Sequence, residues 1–423
     1  MTRTSSHERR RLETLDAAAL EAHQLARLNA LLDAMLPSNE FYSRKFAELS
    51  RPLRSLEQLA ELPFTYKAEL LDSHQGDRCS ILTFPPQQYV RYHQTSGTRG
   101  RPLVVLDTVE DWQWWLECWQ YMLDAAHIER GDRVMMAFSF GPFVGFWSAF
   151  DAVIDRGAMA IPSGGLNTRS RLQMIQDSRA TAVFCTPSYA LHLAEVAAAH
   201  QIDVAALGVG KLVLSGEPGG SVHATRERIE RAWNATAFDH SGASEVGPWG
   251  YSDHERRGLH VIESEFIAEF LSVETGKLAG EGELAELVLT NLGRPGMPVI
   301  RYRTGDLVRP TWPREGPSRF VLLAGGILGR NDDMLIVRGV NVFPSAVEHI
   351  LRSFPEVLEY RMTAFKSGEM DQIKIEIEDR LNEPARVAEE LQLRLSLKVD
   401  VTCAPLGSLP RFEGKGKRFV DLR

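Results

Sequence analysis

The chain is poor in cysteine, with four in 423 residues. Cys79, Cys118, Cys185 and Cys403 lie far apart and form no CxxC pair. That spacing argues against a disulfide framework or a thiolate zinc cluster and predicts small buried hydrophobes in a reducing compartment. Long apolar runs are lacking too: none approaches the ~18 residues a membrane span requires. The charged opening MTRTSSHERRRLETLD shows no secretory pattern, so the expectation is a cytoplasmic protein with no membrane partner. Excess positive charge is missing as well. Lys and Arg number 48 against 56 Asp and Glu, a net charge of -8 that argues against broad nucleic-acid binding. Neither GxxxxGK[ST] nor GxGxxG occurs, which leaves the corresponding nucleotide and dinucleotide folds without support. No Ser/His/Asp or Cys/His arrangement suggests a covalent nucleophile.

What is present is a globular balance, 44% hydrophobic and 25% charged, in a chain long enough for two domains or more. Residues 1–90 read as a mainly helical lead-in, with LDAAALEAHQLARLNALLDAML apolar at helical spacing. LVVL (103–106) reads as a short strand, and Asp107 with Glu110 as a capping box opening a helix. The four tryptophans of that helix read as a core-facing stripe. From 133 to 245 apolar strands (RVMMAFSF, AMAIPS, TAVFCTP, KLVLSG, ATAFDHSG) alternate with amphipathic helices, which predicts a parallel sheet covered on its faces. Ligands gather at the carboxyl ends of such strands. FGPF (140–143), SGEPGG (215–220) and DHSGASE (239–245) fall there. Strand-rich sequence follows from about 283, and from about 330 a small α+β unit. The expectation is an α/β protein: a large N-terminal domain, 1–329, of parallel-rich sheets and packed helices, and a small mobile α+β domain, 330–423.

The loop QTSGTRGRP (94–102) concentrates glycine and hydroxyl side chains. Gly97 and Gly100 permit close backbone approach, and Thr95, Ser96 and Thr98 offer hydroxyls to phosphate oxygens; a plain surface turn is the alternative.

This loop resembles the Ser/Thr/Gly-rich signature of the adenylate-forming superfamily of acyl- and aryl-CoA synthetases. Further segments resemble that family's other motifs in the right order. They are SGEPGG, DHSGASE, RYRTGDL, GRNDDMLIVRGVNVFPSAVE and LPRFEGKGKR. PVIRYRTGDL and MLIVRGVNVFPSAVE look most like the phenylacetate-CoA ligase branch. The resemblance runs from about residue 85 to the end; the N-terminal helices carry no motif.

The resemblance implies ATP-dependent activation of a carboxylic acid to an acyl-adenylate, followed by transfer to coenzyme A with release of AMP. It implies ATP, magnesium and coenzyme A as ligands, with a carrier-protein acceptor and a homodimer as further possibilities. Thr95, Ser96, Gly97, Thr98 and Gly100 would hold the outer phosphates, with Arg101 where the family usually has lysine. Ser215, Gly216, Glu217 and Pro218 would border the adenine, and Asp239, His240 and Ser241 would adjoin the nucleotide. Glu245 would hold magnesium, Asp306 the ribose hydroxyls with Arg330 in support, and Lys415 would serve adenylation. By the same resemblance Thr98, Glu245 and Lys415 would form the catalytic set, and Asp332 would be the hinge. Taken singly, Glu245 and Asp306 could be turn residues and Lys415 part of a basic tail; their joint order carries the reading.

Two departures stand out. The adenine-stacking tyrosine of the family is replaced by Ser241, and His240 beside it could stack in its place or contact substrate. The cysteine cluster that some relatives use for zinc is absent; His254 and His260 remain without thiolates, so no structural zinc is expected. Phe140 and Phe143, facing Gly242 and Ala243, are expected to shape a compact pocket for an aromatic acid such as phenylacetate, benzoate or an amino- or hydroxybenzoate. A non-catalytic nucleotide-binding protein is the reading from another class.

Overall fold

The computed structural model describes residues 4–75, 78–95, 102–331, 335–337, 340–367, 370–395, 397–411 and 418–423. The loop residues Ser96, Gly97, Thr98, Gly100 and Arg101, and with them Asp332 and Lys415, lie outside the described residues.

The alternating segments fold as their pattern predicts. Strands Met159–Pro162, Arg133–Met136, Ala182–Cys185, Lys211–Ser215 and Thr236–Ala243 are neighbours in that order and all parallel. Antiparallel strands Gly247–Tyr251, Gly258–Val261, Leu322–Ala324 and Pro310–Thr311 extend the same sheet to nine among the described residues. Local chemistry sets the helix ends between the strands. Thr186 caps Pro187–Ala199 through Tyr189 N, with Pro187 in the first turn, where its missing N–H costs nothing. Val144–Arg156 stops at Gly157, whose φ of 85° suits only the left-handed region.

The helix Val109–Ala125 starts one residue later than expected. Thr108, not Asp107, caps it, and Asp111 completes the box by accepting from Thr108 N. Asp107 is instead buried and paired with Arg294. The four tryptophans of this helix are buried, as their spacing predicts.

Period-two alternation divides the parallel strands between two cores. Phe138, Phe184, Val213 and Phe238 face a core shared with the tryptophan helix. Cys185, Leu214 and Ala237 face another, formed with the helices Pro187–Ala199 and His223–Trp233. The cysteines are all free; Cys118 and Cys185 are buried, while Cys79 and Cys403 are only partly so.

A second, antiparallel sheet orders Phe266–Ser272, Ala285–Asn291, Tyr302–Val308 and Gly329–Arg330. A third core gathers residues between Leu335 and Phe419 around a four-stranded sheet. Its long hairpin, Val357–Ser367 with Met370–Asp379, takes a parallel strand on each edge, Phe419–Asp421 and Asp400–Cys403. The architecture is α/β with a small C-terminal α+β unit. No helix among the described residues is long and apolar enough to cross a membrane.

Candidate active site

The FGPF turn, the segment from Ser215 to Gly220 and the Glu245 turn each follow the carboxyl end of a parallel strand. The hairpin Tyr89–Gln94 with Val104–Thr108 closes at Thr95 and Leu103. Thr95 N donates to Leu103 O at 2.9 Å, and Leu103 N donates to the Thr95 hydroxyl at 3.0 Å. Thr95 therefore closes the end of the hairpin and keeps its hydroxyl hydrogen to donate. Gln94 N donates to Pro142 O, tying this hairpin to the FGPF turn.

At the end of its strand, Ser215 lies opposite His240. The segment after it turns at Gly216, φ 94°, and Glu217 accepts from Ser188 N at 2.8 Å, pinning the turn to the start of a helix. Neighbouring residues on the next strand diverge. Asp239 faces Ser221, whose hydroxyl donates to it at 2.5 Å. A Cβ on Gly220 would sit 2.5 Å from the Asp239 carboxylate, so only glycine allows this approach. Burial pushes the Asp239 carboxyl up to about 6, partly offset by that hydrogen bond. His240 points the other way. Its ring lies face-on to Trp119, with centroids 3.8 Å apart and planes at 14°, and Nδ1 is 3.3 Å from Ser215 Oγ. Alternation along the strand thus sends the side chains of Asp239 and His240 to opposite faces.

Glu245 occupies the turn between Thr236–Ala243 and Gly247–Tyr251. The turn is fastened from outside: Arg294 donates to the carbonyls of Glu245 (3.0 Å) and Ser244 (3.4 Å), and Asn291 donates to that of Val246. Gly247 has φ 126°, and a Cβ there would strike Trp114. The Glu245 carboxylate is buried and accepts from the Tyr302 hydroxyl at 2.7 Å, with Lys67 Nζ 3.4 Å away. Burial alone would raise this carboxyl; Lys67 and Tyr302 hold it below its usual range. Burial and the adjacent carboxylate push the tyrosine well up, so it stays a donor.

Tyr302 and Asp306 lie on one strand, so the strand that reaches Glu245 also carries the proposed ribose ligand. Asp306 pairs in register with Arg330, whose Nη1 is 3.4 Å from its carboxylate. Ser241 is half-buried and opposite Gly250. Gly242 and Ala243 lead into the Glu245 turn. Phe140 packs edge-on against Trp147 and Phe150, and Phe143 is partly exposed at the start of its helix. His260 is bonded to Asp253 and Phe320 O, and among the described residues no group of three or more His, Cys, Asp or Glu side chains is placed to hold a metal.

The structure brings Lys67 and Arg294 against Glu245, and Trp119 against His240. Lys67 opens the short helix Lys67–Asp72 within the lead-in, where no motif signals it. The pairing of Arg294 with Asp107 spans a separation of 187 residues, which no local pattern reveals.

A parallel sheet with turns gathered at its carboxyl ends, an antiparallel sheet beside it and a small C-terminal unit define the adenylate-forming class of enzymes. Residues 339–423 match the family described as AMP-binding enzyme C-terminal domain. Phenylacetate-coenzyme A ligase of Thermus thermophilus is 32% identical, covering 97% of this chain and 98% of that protein. The Escherichia coli enzyme of the same name is 33% identical, with 97% of each chain covered. The structure of 2-hydroxyisobutyryl-CoA ligase in the postadenylation state superposes with a TM-score of 0.92 at 25% identity, covering 100% of this chain and 94% of that one. The same ligase in the thioesterification state gives 0.74 at 26% identity, covering 99% and 93%. The protein belongs to the adenylate-forming family, in its phenylacetate-CoA ligase-like branch, and is an AMP-forming acid–CoA ligase.

Proposed function

We propose that the protein activates an aromatic carboxylic acid with ATP and passes the aryl group to coenzyme A. The observation that carries the aromatic choice is the cluster of half-buried rings that follows the strand Arg133–Met136 and lies on the same core as His240. Phe140 packs edge-on against Trp147 and Phe150, Phe146 lies face-on to the buried Phe138 at 4.2 Å, and Phe143 is partly exposed. Flat rings on the same side of the sheet suit a flat apolar guest.

In the first half-reaction the acid's carboxylate oxygen attacks the α-phosphorus of ATP and the bond to the leaving pyrophosphate breaks. In the second the coenzyme A sulfur attacks the carbonyl carbon and AMP leaves. The chain's part is alignment and charge stabilisation. Asp306, paired with Arg330, receives the ribose hydroxyls; Ser215 to Pro218 border the base, with Asp239 beneath. Thr95 braces the phosphate loop, in which Ser96, Gly97, Thr98, Gly100 and Arg101 act. Lys415 reaches the reacting oxygens. Lys67 joins this set, since its ammonium stands at the Glu245 carboxylate. A single ionised carboxylate next to phosphates is the donor set magnesium favours, so Glu245 fits the ion, which would neutralise phosphate charge when bound. The boundary at 329/330, with Asp332 as hinge, lets the small domain turn between half-reactions. The unequal superposition on two states of one ligase supports that motion.

The test is pyrophosphate exchange across a panel of aryl acids, short alkyl acids and 2-hydroxyisobutyrate. Exchange that depends on the aryl acids supports the proposal; exchange confined to the short acids refutes the aromatic choice.

A further inference from the structure

His240 is buried, 6% exposed, yet its Nε2 has no hydrogen-bond partner among the described residues. An unpaired buried polar atom costs free energy, and such atoms are uncommon in folded proteins. The ring cannot turn away to find a partner, since Trp119 covers one face and Ser215 holds Nδ1. Trp119 is itself fixed, its Nε1 donating to Ser148 at 2.9 Å. Burial lowers the imidazole to about 3, so the ring is neutral and has one N–H for its two nitrogens.

We infer that His240 Nε2 is a specificity contact for a hydroxyl or amino substituent on the ring of the acid, at a position remote from its carboxylate. The inference rests on the aryl-acid reading above. Position on the strand supplies the argument for remoteness. The carboxylate must react at the rim, where Glu245 stands. His240 lies five residues before Glu245, further into the sheet, and on the face carrying the aromatic cluster. In this proposal the ring extends from the rim into the sheet, so its far edge rather than its carboxylate meets Nε2. The Ser215 hydroxyl can donate to Nδ1 or accept from it. Nε2 is accordingly a donor in one tautomer and an acceptor in the other. A phenolic hydroxyl serves both and an aryl amine only the second, so hydroxyl is the better guest.

The experiment compares kcat/KM for unsubstituted benzoate and phenylacetate with their 2-, 3- and 4-hydroxy and amino derivatives, in the parent and in His240→Leu and His240→Gln. The parent is expected to favour a 3- or 4-substituted acid over its unsubstituted partner by about tenfold or more, since leaving a buried polar atom unpaired penalises the unsubstituted ring. His240→Leu should bring that ratio close to one, and His240→Gln, which keeps polar atoms, should retain part of it. An ATP-induced rise in melting temperature checks that each variant is folded. Turnover of aryl acids with no preference for the substituted rings, or a ratio unmoved in folded His240→Leu, overturns the inference and leaves the aryl-acid reading standing. Turnover of none of the aryl acids overturns both.

Discussion

Replacing Arg294 with methionine removes the guanidinium that joins the start of the tryptophan helix to the Glu245 turn. Arg294 and Asp107 are both fully buried and 2.7 Å apart. Breaking such a pair from one side leaves a charge stranded in the core, at a cost of about 3–5 kcal/mol. That is a large share of the ~5–15 kcal/mol that holds a domain together. Replacing both partners, as Asp107→Leu with Arg294→Met, should recover part of the loss, because no charge is stranded. Trp115 Nε1 still loses its acceptor in the double variant, which costs about 1–3 kcal/mol. Both variants also release the carbonyls of Ser244 and Glu245. Misplacing a site by about 1 Å costs on the order of 100-fold in rate, so exchange should fall in both, although only one is severely destabilised. Denaturation followed by tryptophan fluorescence, alongside pyrophosphate exchange, separates the two effects. A single variant within about 0.5 kcal/mol of the parent would refute the stability argument. Full exchange in the double variant would refute the positioning role.

Lys67→Met leaves burial as the dominant influence on Glu245, so its carboxyl rises. A depressed carboxyl loses its ionic form only as pH falls through a low value. With Lys67 gone, the acid limb of the pH–exchange profile should move to higher pH, and an unmoved limb contradicts the pairing. Asp239, pushed up to about 6, favours its protonated form in the folded state, so its charge destabilises the fold at higher pH. Asp239→Asn should therefore melt later than the parent in mildly alkaline buffer, by about 3 kcal/mol at most. The two should converge as pH falls below ~4, where the aspartate is protonated in both states; equal stability at every pH speaks against it. Lys415→Ala should abolish exchange, and near-normal exchange would remove its adenylation role.

Most of the α/β alternation was legible because strands buried on both faces and amphipathic helices leave opposite periodicities. The helix start at Val109 was misplaced because Asp107 and Thr108 both suit a cap, and only the distant Arg294 decides between them. Glu245, Asp306 and Arg330 stood out through ordered motifs, and the fold joins them through the strand that also carries Tyr302. Lys67 was invisible because its partner lies across the chain in a region without a motif. The orientation of His240 follows from one alternation step and from a tryptophan on another element, which motif matching does not weigh.

The most direct test of the account is mass spectrometry of a reaction containing the protein, ATP, magnesium, coenzyme A and a hydroxybenzoate. The account predicts an aryl-coenzyme A thioester formed with AMP, dependent on ATP and lost in Glu245→Gln. An adenylate that accumulates with no thioester, or no product from any aryl acid, would contradict it.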